Sequence, residues 1–186
     1  MRADKEAIYC ELLVVRCKRG HEQAFEELVA HWEERLFYYV RRLVKTEDDA
    51  WDILQNTWME AFKRIRSLKD PQSLPTWLYR IARNTAYSHL RVTYREQMYL
   101  NESGNASEVE PNDEAFPFED AESVHHGLDQ ISLIHKEALT LFLLADLSMD
   151  QMAEVLGIPL GTVKSRLYHA KRAFRAVLQQ EGRDHE

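Results

Sequence analysis

Residues 101–122, NESGNASEVEPNDEAFPFEDAE, divide this chain of 186 residues into two parts. The segment holds eight Asp and Glu residues and no Lys or Arg, and its apolar residues follow neither a helical nor a strand period. A stretch of this composition buries too little apolar surface to form a core of its own. The sequence therefore predicts a flexible acidic linker between two small domains, residues 1–100 and residues 123–186.

On both sides of this linker the apolar residues recur at the spacing of α-helices, and no stretch alternates as a β-strand does. An all-α protein is therefore predicted. Thr46, with Asp49 three residues later, forms a capping signal for a third helix. The other expected helices of the first domain run from about Asp4 to Arg19, from Glu22 to Val44 and from Thr76 to Met98. The expected buried stripe of the third helix includes Ile53, Leu54, Trp58, Ala61 and Phe62.

Several functional classes are disfavoured by composition. No stretch approaches the 18 to 20 apolar residues of a membrane span, and the first residues, MRADKEAIYCELL, contain acids where a secretory signal has an apolar core. We therefore expect a cytoplasmic protein without membrane insertion. Cys10 and Cys17 are seven residues apart, a spacing that fits two buried thiols on one helix face better than a redox pair or a zinc site. The sequence predicts no metal and no cofactor.

The expected fourth helix carries cations and aromatic rings on its polar side. From Pro71 to Arg95 there is no acidic residue. An ordinary solvated face mixes both signs of charge, whereas arginines interleaved with tyrosines suit phosphates and unpaired bases. This face therefore predicts a contact with single-stranded nucleic acid, with a plain solvent-exposed surface as the alternative.

The second domain contains the spacing of a helix-turn-helix. Ser148 and Gln151 form a capping box, Gly157 provides the turn, and a second helix begins near Pro159 to Thr162. The run from Gly161 to Arg175, GTVKSRLYHAKRAFR, has five cations and no acid, although the whole chain has a net charge of -7. A basic outer face of this kind fits the major groove of DNA. A helical hairpin with a basic solvated face is the alternative.

Three segments together resemble an extracytoplasmic-function (ECF) sigma factor, a short two-domain branch of the sigma-70 family. The segment DDAWDILQNTWMEAFKRI resembles the family's helix that binds core polymerase, and PTWLYRIARNTAYSHLR resembles the helix at the melted minus-ten element. LSMDQMAEVLGIPLGTVKSRLYHAKRAF resembles the reader of the minus-thirty-five element. The resemblance spans nearly the whole chain. It implies that the first domain corresponds to sigma region 2 and the second to sigma region 4.

The resemblance also implies which residues carry each contact. Those for core polymerase are Trp51, Asp52, Gln55 and Asn56, where Trp51 and Asn56 replace acids common in the family. Those for the minus-ten strand are Trp77, Arg80, Arg83, Asn84, Tyr87 and Arg91, after a loop from Ser67 to Thr76 that is expected to hold a flipped base. Those for the minus-thirty-five duplex are Thr162, Lys164, Ser165, Arg166, Tyr168, His169 and Arg172. His169 replaces the Arg most common in the family, and Ser132 replaces a Pro.

The implied partners are core RNA polymerase, through its beta-prime clamp helices and beta flap, promoter DNA and a separate anti-sigma factor. The implied function is promoter-directed transcription initiation, with no catalytic residues. Two other functions fit parts of the chain. A helix-turn-helix regulator acting without core polymerase would need only the second domain. A helical metal-dependent hydrolase would use Glu47, Asp48, Asp49 and Asp52, although acids at a helix start also complement the helix dipole.

Overall fold

The computed structural model describes the backbone of residues 2–93 and 127–184, and the side chains of residues 5–91 and 127–179. The predicted linker, residues 101–122, lies outside these ranges, as do residues 94–98 of the expected fourth helix. All regular structure within the ranges is helical, which confirms the all-α prediction. The chain divides into two compact units, Met1–Met98 and Tyr99–Glu186. No helix in the described ranges is long and apolar enough to cross a membrane.

The described part of the first unit is built from α1 (Arg2–Lys18), α2 (Glu22–Leu43), α3 (Glu47–Arg64) and α4 (Leu74–Thr93). Thr46 caps α3 as predicted, because its side-chain oxygen accepts a hydrogen bond from the Asp49 backbone N–H at 3.1 Å. Between α3 and α4 the chain forms two short 3-10 turns, Ile65–Ser67 and Pro71–Ser73, rather than an open loop. Helix α4 begins earlier than expected, so Pro75 lies in its first turn, where proline is tolerated.

Aromatic side chains hold α4 against α2. The Tyr79 ring of α4 is buried, and it packs edge-on against Tyr39 at 5.2 Å and against Trp32 at 6.2 Å between ring centroids. Burial raises the pKa of Tyr79 to about 12, so its hydroxyl stays neutral over the whole physiological range. These contacts determine which side of α4 faces the core.

Helix α1 packs along α2, and the tight turn between the two helices depends on Gly20. This residue has a φ of 86°, its N–H donates to the Cys17 carbonyl, and the following N–H donates to the Arg16 carbonyl. That pattern is a helix end that favours glycine. Cys10 and Cys17 are both buried and unoxidised, as predicted, and burial raises the pKa of both thiols.

The second unit has a helical turn at residues 127–130, followed by α5 (Leu133–Leu143), α6 (Met149–Leu156) and α7 (Leu160–Asp184). Ser148 and Gln151 form both halves of a capping box, and Gly157 ends α6 with a φ of 67°. Helices α6 and α7 therefore form the predicted helix-turn-helix. Ser132 caps α5 by accepting from the His135 N–H.

The turn between α6 and α7 predicts a difference between two glycines. A Cβ added at either Gly157 or Gly161 would meet no atom within 4 Å, but only Gly157 has a left-handed backbone. Gly157→Ala should therefore destabilise the second unit by roughly 1–2 kcal/mol, whereas Gly161→Ala, in the first turn of α7, should leave its stability unchanged or slightly raised. Urea unfolding followed by circular dichroism measures both. Equal stability of the two variants would contradict the role given to the turn.

Candidate functional site

An apolar groove of about 390 Å³ lies between α2 and α3. Three large apolar side chains at this surface are strongly exposed: Trp51 (46%), Met59 (51%) and Phe62 (58%). Exposed apolar side chains that gather in one groove are typical of a protein-binding surface. The groove is lined by Phe25, Val29, Glu33, Trp51, Leu54, Gln55, Trp58, Met59 and Phe62.

Ring contacts give the groove a defined shape. Phe25 packs edge-on against Trp58 and Phe62, and Trp51 stacks on Phe37 at 4.2 Å between centroids. Trp58 is only 9% exposed, and its ring N–H is buried without a hydrogen-bond partner in the described part of the chain. A buried donor left unpaired costs about 1–3 kcal/mol.

The residues predicted to contact polymerase lie at this groove or beside it. Trp51 and Gln55 line it, while Asp52 and Asn56 are exposed on the same helix, with the Asn56 amide donating to the Asp52 carbonyl at 2.9 Å. The prediction that Phe62 belongs to the buried stripe of α3 is wrong, because it is one of the most exposed apolar residues. Sequence reasoning also missed Phe25 and Met59 as parts of a surface. One pattern in α3 could have predicted this surface. Its residues share one face of the helix because they recur at helical spacing: Trp51, Gln55, Trp58 and Phe62.

The outer face of α4 brings together five of the six residues predicted for the minus-ten strand. Arg80, Asn84 and Arg91 are exposed, and Arg83 and Tyr87 are partly buried beside them. The Arg83 guanidinium lies over the Tyr87 ring, 4.4 Å from its centroid. From Arg80 to Arg91 this face is about 16 Å long. It offers cations, an amide and a ring in one continuous row.

Trp77, the sixth predicted residue, lies differently: only 8% of its surface is exposed. Its ring face is therefore largely unavailable for stacking on a base. The preceding chain is well ordered by local hydrogen bonds, since Asp70 Oδ1 accepts from the Gln72 N–H and the Ser73 hydroxyl donates to the Asp70 carbonyl. Leu68 and Leu74 anchor this segment in the core.

Helix α7 separates a buried stripe from a basic outer face. Val163, Leu167, Ala170 and Phe174 are buried. Of the residues predicted for the minus-thirty-five duplex, Lys164, His169 and Arg172 are exposed, and Thr162, Arg166 and Tyr168 are partly buried. Ser165 is 9% exposed and its hydroxyl donates to the Thr162 carbonyl at 3.1 Å, so it is turned toward its own helix.

Contacts with α5 orient parts of this face. The Lys171 ammonium lies over the Phe142 ring, 4.8 Å from its centroid, so one of the five cations of the run is directed toward α5. Burial lowers the pKa of His135 on α5, and His169 and Arg166 of α7 lower it further. The cations with exposed side chains on this run are therefore Lys164 and Arg172, with the His169 ring between them.

At the start of α3 the acidic residues serve the fold. Asp49 Oδ2 accepts from the Thr46 hydroxyl at 2.6 Å, and Asp49 Oδ1 lies 2.9 Å from His89 Nε2 of α4. These contacts, the Thr46 hydrogen bond first, hold the pKa of Asp49 below its usual value. Among the described residues, no three His, Cys, Asp or Glu side chains are grouped so that they could hold a metal ion.

The lowered pKa of Asp49 predicts a loss of stability in acid. The ionised form is favoured by folding, so its contribution is present above the usual pKa of 3.8 and is lost as pH falls through the lower value of the folded state. Asp49→Asn should therefore be less stable than wild type near neutral pH, and the gap should shrink below about pH 4. Urea midpoints of the first unit across this range measure it. A gap that stays constant with pH would contradict the assignment.

Comparison with known proteins agrees with this arrangement. The family model for Sigma-70 region 2 matches residues 28–96, and the model for Sigma-70 region 4 matches residues 122–174. The RNA polymerase sigma-H factor of Pseudomonas aeruginosa is 30% identical over 178 residues, covering 90% of this chain and 92% of that protein. The ECF RNA polymerase sigma-E factor of Haemophilus influenzae is 29% identical, covering 94% of this chain and 97% of that protein.

Solved structures show the same fold. The sigma factor RpoE of Bartonella quintana, crystallised with the anti-sigma factor NepR, has a TM-score of 0.65 and 26% identity, covering 83% of this chain and 96% of that one. CnrH, in complex with the cytosolic domain of CnrY, has a TM-score of 0.68 and 22% identity, covering 92% of this chain and 98% of that one. Together with the two matched family models, these relatives show that the chain belongs to the sigma-70 family and is an alternative RNA polymerase sigma factor of the ECF type.

Proposed function

We propose that this sigma factor uses three surfaces, one for each step of promoter recognition. The groove between α2 and α3 binds core RNA polymerase, the outer face of α4 holds the melted minus-ten strand, and the outer face of α7 reads the minus-thirty-five duplex. The protein catalyses no reaction itself and acts in the cytoplasm. The proposal is carried by one observation: the region 2 and region 4 models match in that order, on two helical units that each expose a surface of suitable chemistry.

The groove suits the polymerase because it combines apolar area with a few polar groups. Trp51, Met59 and Phe62 supply exposed apolar surface, and aromatic residues and methionine are enriched at the centres of protein interfaces. Asp52 lies beside them and offers a carboxylate to a basic partner. Gln55 is exposed and lines the groove, so its amide can donate to or accept from a partner group.

The outer face of α4 suits a strand whose bases have been unpaired. Arg80 and Arg91 are separated by three helical turns and can contact phosphates along the strand. Tyr87 offers a ring between them, and stacking of one base on such a ring contributes about 1–3 kcal/mol. Asn84 can pair with a base edge. Buried Trp77 supports the fold at the start of this face, and we assign it no stacking role.

The outer face of α7 suits duplex DNA. A recognition helix places its first turns at the base edges of the major groove, and here those turns carry Lys164 and Tyr168. Arg172 lies one turn further along and can hold a phosphate. His169 is a shorter and weaker phosphate ligand than arginine, so this protein should bind its promoter with one charge contact fewer than relatives with arginine there.

We also propose that an anti-sigma factor regulates this protein. The structure of the Bartonella quintana relative contains such an inhibitor. An inhibitor that covers the apolar groove would hide Trp51, Met59 and Phe62 from water and block polymerase at the same time. That single contact would give both affinity and inhibition.

Transcription from purified components tests the proposed function. Core RNA polymerase, the full chain and a library of promoter fragments should yield run-off transcripts from a subset of fragments that share two sequence elements. Transcripts that appear equally without the chain would refute the proposal.

Charge reversal at the groove should separate polymerase binding from folding. Asp52→Arg places a cation where a basic partner is expected, and it should reduce co-purification with core polymerase by tenfold or more, since like charges at an interface cost about 1.4 kcal/mol or more. Helical content should stay unchanged, because the side chain is exposed. Glu34→Arg is the matched control, because it makes the same change of charge at an exposed residue of α2 that does not line the groove. The neighbouring Arg35 contacts Glu6 of α1. Equal loss in both variants would contradict the assignment.

Trp51 predicts how polymerase binding depends on salt. An aromatic contact is insensitive to ionic strength, whereas an acid facing a basic partner is screened by salt. Trp51→Glu should therefore bind core polymerase with a steeper salt dependence than wild type, and Trp51→Phe should keep the wild-type dependence. Titrations at two salt concentrations measure this. Identical salt dependence of the Glu variant and wild type would place Trp51 outside the interface.

A further inference from the structure

Four cations gather where α1 ends beside the turns that lead into α4. The Lys18 ammonium donates to the Lys69 carbonyl at 3.5 Å, although the two residues are 51 positions apart. The Arg66 guanidinium lies over the α1–α2 turn, 3.6 Å from the position of a Cβ on Gly20. Arg19 is exposed between Lys18 and Gly20. We call Lys18, Arg19, Arg66 and Lys69 the α1 cluster.

The charge of the α1 cluster is not neutralised within the described part of the chain. None of its four cations forms an ion pair there, in contrast to Lys63 and Arg64, which both pair with Glu60. The nearest acid along the loop, Asp70, accepts from the Gln72 N–H and keeps its negative charge, but it forms no ion pair with the four cations among the described residues. Glu22 lies in the first turn of α2, where it complements the helix dipole. Four cations against these two acids leave a local net positive charge, which is typical of a site for an anion.

The position of the α1 cluster indicates which anion. Lys69 belongs to the loop from Ser67 to Thr76, which the resemblance to ECF sigma factors implies holds a flipped base, and that loop leads directly into the basic face of α4. A strand with one base in this loop must continue on both sides of it. One side can follow Arg80, Asn84 and Arg91 along α4. The α1 cluster lies at the other end of the loop, where its cations are available to the strand.

Resting on the proposed function, we propose that the α1 cluster is a second binding site for the phosphates of single-stranded DNA, beyond the face of α4. Helix α1 thus has two roles. Its Lys18 positions the base-capturing loop through the Lys69 carbonyl, and its end extends the path of the strand. All of α1 precedes the segment matched by the region 2 model, so Lys18 and Arg19 lie outside the family match, whereas Arg66 and Lys69 lie within it.

Binding of labelled single-stranded 20-nucleotide DNA to the full chain tests this site by its salt dependence. Each phosphate contact on a single strand contributes about 0.7 to the slope of log affinity against log salt. Lys18→Gln with Lys69→Gln should therefore lower the slope by about 1.4. As salt falls from about 200 mM to about 50 mM, the affinity advantage of wild type over this variant should grow roughly sevenfold.

Three further variants make the test decisive. Arg19→Gln with Arg66→Gln removes two cations without touching the Lys18–Lys69 hydrogen bond, and it should lower the slope equally. It also decides the outcome if the first variant fails to fold. Lys5→Gln with Lys45→Gln removes the same charge from two exposed positions, one near the start of α1 and one just after the end of α2, far along both helices from the cluster, and it should leave the slope unchanged. Arg80→Gln with Arg83→Gln removes two cations from the outer face of α4, and it should lower the slope if that face binds single-stranded DNA.

The outcomes separate this inference from the function on which it rests. A lower slope in both cluster variants but not in the Lys5 and Lys45 control supports the site. If the α4 variant lowers the slope while the cluster variants behave like the control, the α1 cluster is not a DNA site and the proposed function stands. If neither the α4 variant nor the cluster variants lower it, single-stranded DNA does not bind this unit as proposed, and both fail. Equal loss in all variants would show a nonspecific charge effect and overturn the site.

Discussion

The burial of Tyr79 between Trp32 and Tyr39 determines the surface of the first unit. A helix advances about 100° per residue, so once Tyr79 faces α2 the rotation of α4 is set. Arg80, Asn84 and Arg91 then lie about 100° to 140° around the helix from Tyr79 and are exposed, while Arg83 and Tyr87 lie nearer to it and are partly buried. Aromatic pairs of this geometry add about 0.5–1.5 kcal/mol each beyond their buried area. The same contacts that stabilise the core therefore orient the face proposed for DNA.

In the second unit, the backbone conformation of Gly157 helps to determine which face of α7 is exposed. Gly157 adopts a left-handed conformation at no steric cost, and the Val163 N–H then continues α7 by donating to the Pro159 carbonyl. With the angle between α6 and α7 set by this turn, burial of Val163, Leu167, Ala170 and Phe174 leaves Lys164 and Arg172 outside. Each unit thus presents its basic face as a consequence of how its apolar residues pack.

Periodicity and capping signals were enough to predict the helices, the helix-turn-helix and the buried stripe of α7, because these depend on residues close in sequence. They failed where several elements meet. Trp77 projects outward on a wheel drawn for α4 alone, yet it is buried, since α1 packs against α4 and against the Pro71–Ser73 turn. Phe62 continues the apolar stripe of α3, yet it is exposed beyond the edge of the core. A one-helix projection shows which side is apolar and does not show where the neighbouring helix ends.

The same limit applies to the sites. The basic face of α4 was visible in the sequence because its residues share one helix. The groove between α2 and α3 and the α1 cluster were not, since each combines residues from two or three separate elements: Phe25 with Met59 in the groove, and Lys18 with Lys69 in the cluster. What joins Lys18 to Lys69 is a single long-range hydrogen bond, which no local pattern encodes.

The distribution of charge has a consequence for how polymerase and DNA are bound. In the proposed function the groove binds polymerase, and its exposed Trp51 makes part of that contact apolar. Charge contacts mainly raise the rate of association, whereas well-packed aromatic contacts mainly slow dissociation. The DNA binding proposed for α4 and α7 depends on cations and therefore on salt. A rise in ionic strength should thus release this sigma factor from promoter DNA before it releases it from polymerase, because the two contacts depend on different interactions.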